Sequence, residues 1–367
     1  MTQPRIRDFT AQRSSQPSID TALHGAADML IALGQLDGCN EVTQSFEEYG
    51  LGADWYAEFS DALSPETREL VSRVGSGDFW WISMIAILDE MPDGSTVGDF
   101  IAHVASKDPT AFRLALLATR EAHDPEYERL AHAAAAGDRG ALTELMALPG
   151  ATDHKRWAES IQLLLELEPS ETMDLVVGAM RGVHNDVFSK HETAFRPILE
   201  RDIAAKRNMA QRLSVERFVE LTTNGISIEK QGYRRPILLI PSIVGRPWVI
   251  FTESSERMIM VYPVADEYMD ADPDAPPNWL IKTYKALGDE RRLRILRRLS
   301  KGNASLHELA DELDVSKSTL HHHMMLLRSA GLVKVLVGAD REYALREDVV
   351  PETAAVLQSY IDNPGGN

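Results

Sequence analysis

The sequence predicts a mainly α-helical protein with a small β component, in which a long helical body is joined to a compact helical module that closes on a hairpin. Three observations carry this. Capped, helix-periodic segments follow one another from about residue 18 to 221, and short β-branched and aromatic runs replace them between 226 and 262. The charge then changes sign: residues 279–346 hold 13 Lys+Arg against 8 Asp+Glu, whereas residues 1–278 carry a net −19.

Composition places the chain among folded globular proteins. Its 367 residues, 44% apolar and 26% charged, suffice for two domains at roughly 150 residues each. The amino terminus, MTQPRIRDFT, has no apolar core of a secretory signal, and runs such as Ile237 to Pro241 are far shorter than a membrane span. A cytoplasmic protein with no membrane partner is therefore expected. One cysteine, Cys39, cannot make an intramolecular disulfide and has no basic neighbour to activate it, in keeping with a reducing compartment.

In the body, Ser64-Pro65, Asp108-Pro109 and Asp124-Pro125 each set a capping side chain before a proline suited to the first helical turn. Helical stripes follow, such as Phe112, Ala115, Leu116 and Thr119, or Ile161, Leu164 and Leu165. Gly75-Ser76-Gly77 and Asp93-Gly94-Ser95 read as loops. The runs at 226–229, 236–240, 248–252 and 258–262 are separated by Gly, Pro, Ser and Arg and predict a short antiparallel sheet. The acidic, proline-rich stretch DEYMDADPDAPPN at 266–278 predicts a linker. The organisation is thus a body at 1–265, a linker at 266–278 and a module at 279–364.

The module is the most legible part. Gly288-Asp289 breaks a helix, and Leu293, Leu296 and Leu299 stripe the next one among Arg291, Arg292, Arg294, Arg297 and Arg298. Ser305-Leu-His-Glu308 is a capping box, and Leu306, Leu309, Ala310 and Leu313 give the following helix one apolar face. Asp314-Val315-Ser316 is a tight break, after which a helix runs to Ala330 and stops at Gly331. Two short helices so joined among basic residues form a helix-turn-helix. Val333, Val335 and Val337 then alternate, Gly338-Ala339-Asp340 turns, and Glu342 to Leu345 returns: a wing.

The segments ALGDERRLRILRRLSKG and SLHELADELDVSKSTLHHHMMLLRSAGLV, followed by a hairpin ending EYAL, resemble the winged helix-turn-helix of ArsR-type bacterial transcription regulators from about Thr283 to Arg346. The resemblance implies a dimeric protein that binds double-stranded DNA with its second helix in the major groove, and first and last helices that pair across a two-fold axis. From Pro351 a further helix aligns Val350, Ala354, Leu357 and Ile361, a seam suited to that pairing. Metal-sensing relatives carry cysteines where this chain has Leu306-His307-Glu308, or ligands on the last helix, where it has Glu347, Asp348 and Glu352. Metal sensing is not implied.

The run His321-His322-His323 poses a separate question, which helical geometry addresses. With Leu320 set at zero and about 100° per residue, Met324 and Leu327 share its stripe and His323 leans toward it, while His321 and His322 point outward with Ser318, Met325 and Ser329. No Cys, His, Asp or Glu lies three or four residues from any of the three, so a metal site is disfavoured. Solvated histidines are the bland reading. The favoured one is a DNA-facing surface: Lys317 and the free N–H groups at the helix start hold phosphate, Ser318, His321 and His322 reach base edges, Ser316, Thr319, Met325 and Arg328 complete the DNA-binding set on this helix, and Lys334 and Arg341 are the cations of the wing.

The body offers weaker signals. His184, Phe188 and His191 share a helical face, Glu128 and His132 stand at i, i+4 near His123 and Asp124, and Trp80, Trp81, Trp157 and Trp248 could line a pocket or a core. Nucleotide-loop, dinucleotide, nucleophile-elbow and zinc-helix motifs are all lacking, so no enzyme activity and no cofactor are expected. A protein scaffold using the winged fold, or an enzyme in which that fold is incidental, are the competing classes. The body is expected to take a small-molecule or protein effector.

Overall fold

A computed structural model describes residues 18–38, 50–75, 78–117, 125–148, 161–162, 165–228, 235–254, 256–269, 276–337 and 341–362. The chain is mainly helical with short strands. The body's helices are α1 (Gly25–Gly38), α2 (Gly52–Asp61), α3 (Pro65–Val74), α4 (Asp78–Ser83), α5 (Val97–Ser106), α6 (Pro109–Leu116), α7 (Pro125–Ala135), α8 (Arg139–Met146), α9 (Pro169–Val183), α10 (Ser189–Ala210) and α11 (Val215–Thr222). The Ser-Pro and Asp-Pro signals act as caps: Thr67 N–H donates to Ser64 Oγ at 3.2 Å and Ala111 N–H to Asp108 Oδ1 at 2.9 Å. Asp124 lies outside the described residues, and α7 begins at Pro125 behind it.

Helix α1 is buried from Ala26 to Leu33 on every side, as a helix apolar all round but for Asp28 must be. Trp81, Phe100, Phe112 and Phe188 are fully buried in the same core. Arg113 is also fully buried. Its guanidinium donates to the carbonyls of Leu165, Leu167 and Ala134 at 2.6, 2.9 and 3.3 Å, satisfying helix-end acceptors that would otherwise be orphaned.

The β component differs from the antiparallel sheet read from the sequence. Strand β1 (Ile19–Thr21) pairs parallel with β3 (Ile237–Ser242), and β3 pairs parallel with β5 (Met258–Pro263); only β4 (Ile250–Glu253) runs antiparallel, at the edge. Both faces of this sheet are covered. Leu238, Ile240, Ile259 and Val261 enter the helical core, whereas Ile237, Leu239, Met258, Met260 and Tyr262 enter a second one. Strands buried on both faces need unbroken apolar runs, and Ile-Leu-Leu-Ile and Met-Ile-Met-Val-Tyr are such runs.

The remaining strand, β2 (Ile226–Ile228), belongs to another sheet altogether. It pairs parallel with β7 (Val333–Val337), the first strand of the wing, Ile226 opposite Val335 and Ile228 opposite Val337. Strands β7 and β8 (Arg341–Leu345) form the hairpin, and β6 (Ala304–Ser305) completes the order β2-β7-β8-β6. The second core therefore runs across the acidic stretch at 266–278: Phe218, Val219 and Ile226 of the body lie in one cluster with Ile295, Leu309, Leu320 and Leu332.

Candidate nucleic-acid interface

The module comprises α12 (Asn278–Leu287), α13 (Glu290–Leu299), α14 (Leu306–Leu313), α15 (Lys317–Ser329), the wing and α16 (Val349–Asp362). The starts of α13, α14 and α15 are fixed by local caps. Arg292 N–H donates to Asp289 Oδ1 at 3.0 Å, and the Ser305–Glu308 capping box is formed at 2.7 and 3.2 Å. Helix α14 ends at Asp314, whose φ of 52° turns the chain sharply. Two residues later Ser316 opens α15, its Oγ accepting from Thr319 N–H at 3.2 Å.

On α15 the buried side is Leu320, His323, Met324 and Leu327. His321 and His322 are exposed, as are Ser316, Lys317 and Ser318; Thr319, Met325 and Arg328 are half-buried. The three consecutive histidines thus diverge. His323 is 8% exposed, its Nδ1 has no hydrogen-bond partner, and burial lowers its pKa against the opposing pull of Asp289. Ser316 works mainly as the cap, since its hydroxyl also lies 3.0 Å from Ser318 Oγ and 2.8 Å from Thr319 Oγ1. Among the described residues no group of three His, Cys, Asp or Glu is arranged to hold a metal ion.

The module's cations divide into two sets. Arg292 is spent internally, its Nε and Nη2 donating to Ala286 O and Lys285 O at 2.6 and 3.0 Å; Arg298 grips Glu312 and Gly302 O, and Arg294 pairs with Glu290 at 2.6 Å. Lys317, Arg291 and Arg297 are exposed without a carboxylate partner among the described residues. Lys334, expected on the DNA side of the wing, instead lies 4.0 Å from Glu220 of α11, because β2 covers the outer edge of β7. Arg341 opens β8, and its side chain lies outside the described residues.

Residues 287–335 match the family model of a helix-turn-helix domain. The carboxy-terminal module is a helix-turn-helix domain. Its wing and capping box complete the arrangement that the sequence resemblance implied. The HTH-type transcriptional regulator MJ1325 of Methanocaldococcus jannaschii is 40% identical over 52 residues, a match that takes in 14% of this chain and 58% of that protein. The chain thus spans little more than half the length of this relative. A crystal structure of an ArsR family transcriptional regulator aligns with 23% of this chain and 94% of its own, at 26% identity and a TM-score of 0.21.

The residues singled out in the body do not converge. His184 and His191 are split by a π turn over His184–Phe188: His184 Nε2 lies 3.2 Å from Glu192 Oε2, while His191 sits among the rings of Trp55, Phe59, Phe188 and Phe195 at 5.0 to 6.3 Å. Glu128 and His132 are exposed on α7. Trp81 is core and Trp248 half-buried; the side chain of Trp80, together with Cys39, His123, Asp124 and Trp157, lies outside the described residues. A residue that sequence reading missed is Arg346. It follows the wing and is largely buried between wing and body, and its only sequence signal is the cation directly after the EYAL strand.

Proposed function

We propose that this protein is a DNA-binding transcriptional regulator that lays α15 in the major groove. The observation that carries the reading is the outward face of α15: Ser318, His321 and His322 are exposed beside a capped helix start bearing Lys317, on a helix-turn-helix domain. Hydroxyl and imidazole groups can donate to and accept from base edges, and free N–H groups at a helix start favour phosphate. The −19 of residues 1–278 keeps the body off the polyanion and leaves contact to the basic module.

A homodimer on a near-palindromic operator is the geometry this reading favours. Ile281 and Tyr284 of α12, with Val350 and Ile361 of α16, are exposed large apolar side chains on two helices that pack together. A second copy of the same face would cover them, with α15 repeated one helical turn of DNA away. The body is read as the regulatory part, without a catalytic step. Among the described residues no helix is long and apolar enough to cross a membrane.

Fluorescence anisotropy on labelled duplexes from upstream of its own gene tests the reading. Saturable binding that weakens steeply with salt and is competed by unlabelled duplex from the same region supports it. No binding to any of these duplexes at 50 mM salt, about the low end of the usual range, removes it.

A further inference from the structure

Arg346 stands where three chain ends meet. Helix α15 terminates at Gly331 with φ of 70°, α11 terminates at Asn224 and Gly225 with φ of 51° and 111°, and the wing returns at Leu345. The Arg346 guanidinium ties these together: Nη1 donates to Asn224 Oδ1 at 2.9 Å and to Gly331 O at 3.0 Å, and Nε lies 4.0 Å from Glu220 Oε1. Glu220 reaches further along the wing, its Oε2 being 4.0 Å from Lys334 Nζ, while Arg217 Nη1 steadies its Oε1 at 3.1 Å. The backbone repeats the link, Val335 N–H donating to Gly225 O at 2.9 Å at the head of the β2–β7 pairing.

The clasp is packed at its charged centre, although Asn224 itself is exposed. Side chains of Glu220 and Arg346 are each 14% exposed, and a Cβ at Gly331 would lie 2.7 Å from Asn224 Oδ1. An arginine withdrawn from water in this way needs its acceptors, since a buried charge stripped of partners costs several-fold more than a surface one. On the body side Asn224 is its acceptor and Glu220 its nearby counter-charge.

We propose that Glu220 and Asn224 are positioning residues for DNA recognition, holding the wing and the end of α15 in fixed relation through Arg346. This rests on the DNA-binding reading above. It assigns to the acidic body a direct part in shaping the surface that meets DNA. It also makes a prediction of opposite sign to simple electrostatics, because removing a carboxylate near a DNA-binding surface would by charge alone strengthen binding.

The test uses the full chain with Glu220→Gln and Asn224→Gly, the glycine being able to keep the left-handed turn while losing the acceptor. Binding is measured against upstream duplex DNA over a salt series, and amide hydrogen exchange is measured without DNA. Glu220→Gln should weaken binding roughly tenfold, about the loss of one partly buried counter-charge, with the salt slope unchanged. Hydroxyl-radical footprints should lose protection at the wing while keeping it at the α15 groove, which partial unfolding would not do. Amides at 333–337 should exchange faster while those of α5 stay protected, and Glu220→Asp should restore part of both effects. Binding equal to or tighter than the parent overturns the proposal, as does unaltered exchange in the wing. Failure of the parent protein to bind DNA instead removes the regulator reading, and the exchange result then decides the clasp by itself.

Discussion

Lys334 Nζ lies 4.0 Å from Glu220 Oε2, so one of the wing's cations faces the body, whereas Lys317 at the start of α15 is exposed. The two lysines are therefore not equivalent toward a polyanion, although the sequence reading places both on the DNA side.

Lys317→Ala should lower affinity for every duplex alike and reduce the magnitude of the logarithmic salt slope by about 0.9, the counterions of one phosphate contact. Lys334→Ala should leave that slope within error of the parent. Equal changes in the two variants, in anisotropy titrations over a range of salt, would contradict the geometry.

His321→Ala and His322→Ala should act differently from Lys317→Ala. Base-edge contacts carry sequence information, so each substitution should relax discrimination at one operator position by about tenfold while non-specific affinity holds. His323→Ala should instead reduce thermal stability, since His323 is buried against α13. Competition against duplexes substituted one base pair at a time, alongside melting curves, separates the two behaviours.

Two buried groups in the body should give opposing pH responses. Asp28 accepts from Ser242 Oγ at 2.5 Å and from the N–H groups of Ile243 and Val244, yet full burial pushes its pKa up to about 6. Between its unfolded value near 4 and this one the native state holds the extra proton, so stability falls as pH rises. His24 is 2% exposed, both its ring nitrogens lack partners, and burial lowers its pKa to about 4. There the unfolded state holds the extra proton, and stability rises with pH over much the same interval. The two slopes largely cancel in the parent. Relative to it, Asp28→Asn should gain stability steadily from pH 4 to 6.5, and His24→Leu should lose it, in urea titrations at stepped pH. Each change should be of the order of 3 kcal/mol across the window. Parallel curves for parent and variants would show that neither group titrates as its burial implies.

The apolar seam on α12 and α16 gives a prediction about assembly. Ile361, 61% exposed, and Val350, 44% exposed, are left uncovered among the described residues. Ile361→Glu with Val350→Glu should shift sedimentation from dimer to monomer with little change in melting temperature and weaken operator binding about a hundredfold or more, since one half-site then binds alone. A parent protein that sediments as a monomer at micromolar concentration would remove the dimer.

Much of the module was legible because its signals are local. Ser305 and Glu308 cap each other across one turn, Gly331 stops a helix by its own backbone freedom, and the 100° period divides His321 and His322 from His323. The body's sheet was less legible because strand direction is a long-range property. Nothing within Ile237–Ser242 says that its neighbours will be Ile19 and Met258. The unbroken apolar character of β3 and β5 fits burial on both faces, although the sequence reading takes these runs as an antiparallel sheet. Ile226–Ile228 is too short to announce a partner more than a hundred residues downstream, and Glu220 gives no local hint that Lys334 and Arg346 will gather round it.

The placement of β2 at the margin of the wing bears on how the protein can be handled and made. Strand β7 reads Val-Lys-Val-Leu-Val, an outward margin with no proline and one lysine, and without β2 its peptide groups would lie open to other chains. A fragment beginning at residue 279 should therefore self-associate, whereas one beginning at 214, ahead of α11, carries its own cover. During synthesis the order is favourable: residues 226–228 leave the ribosome well before 333–337, so a template awaits the wing as it emerges.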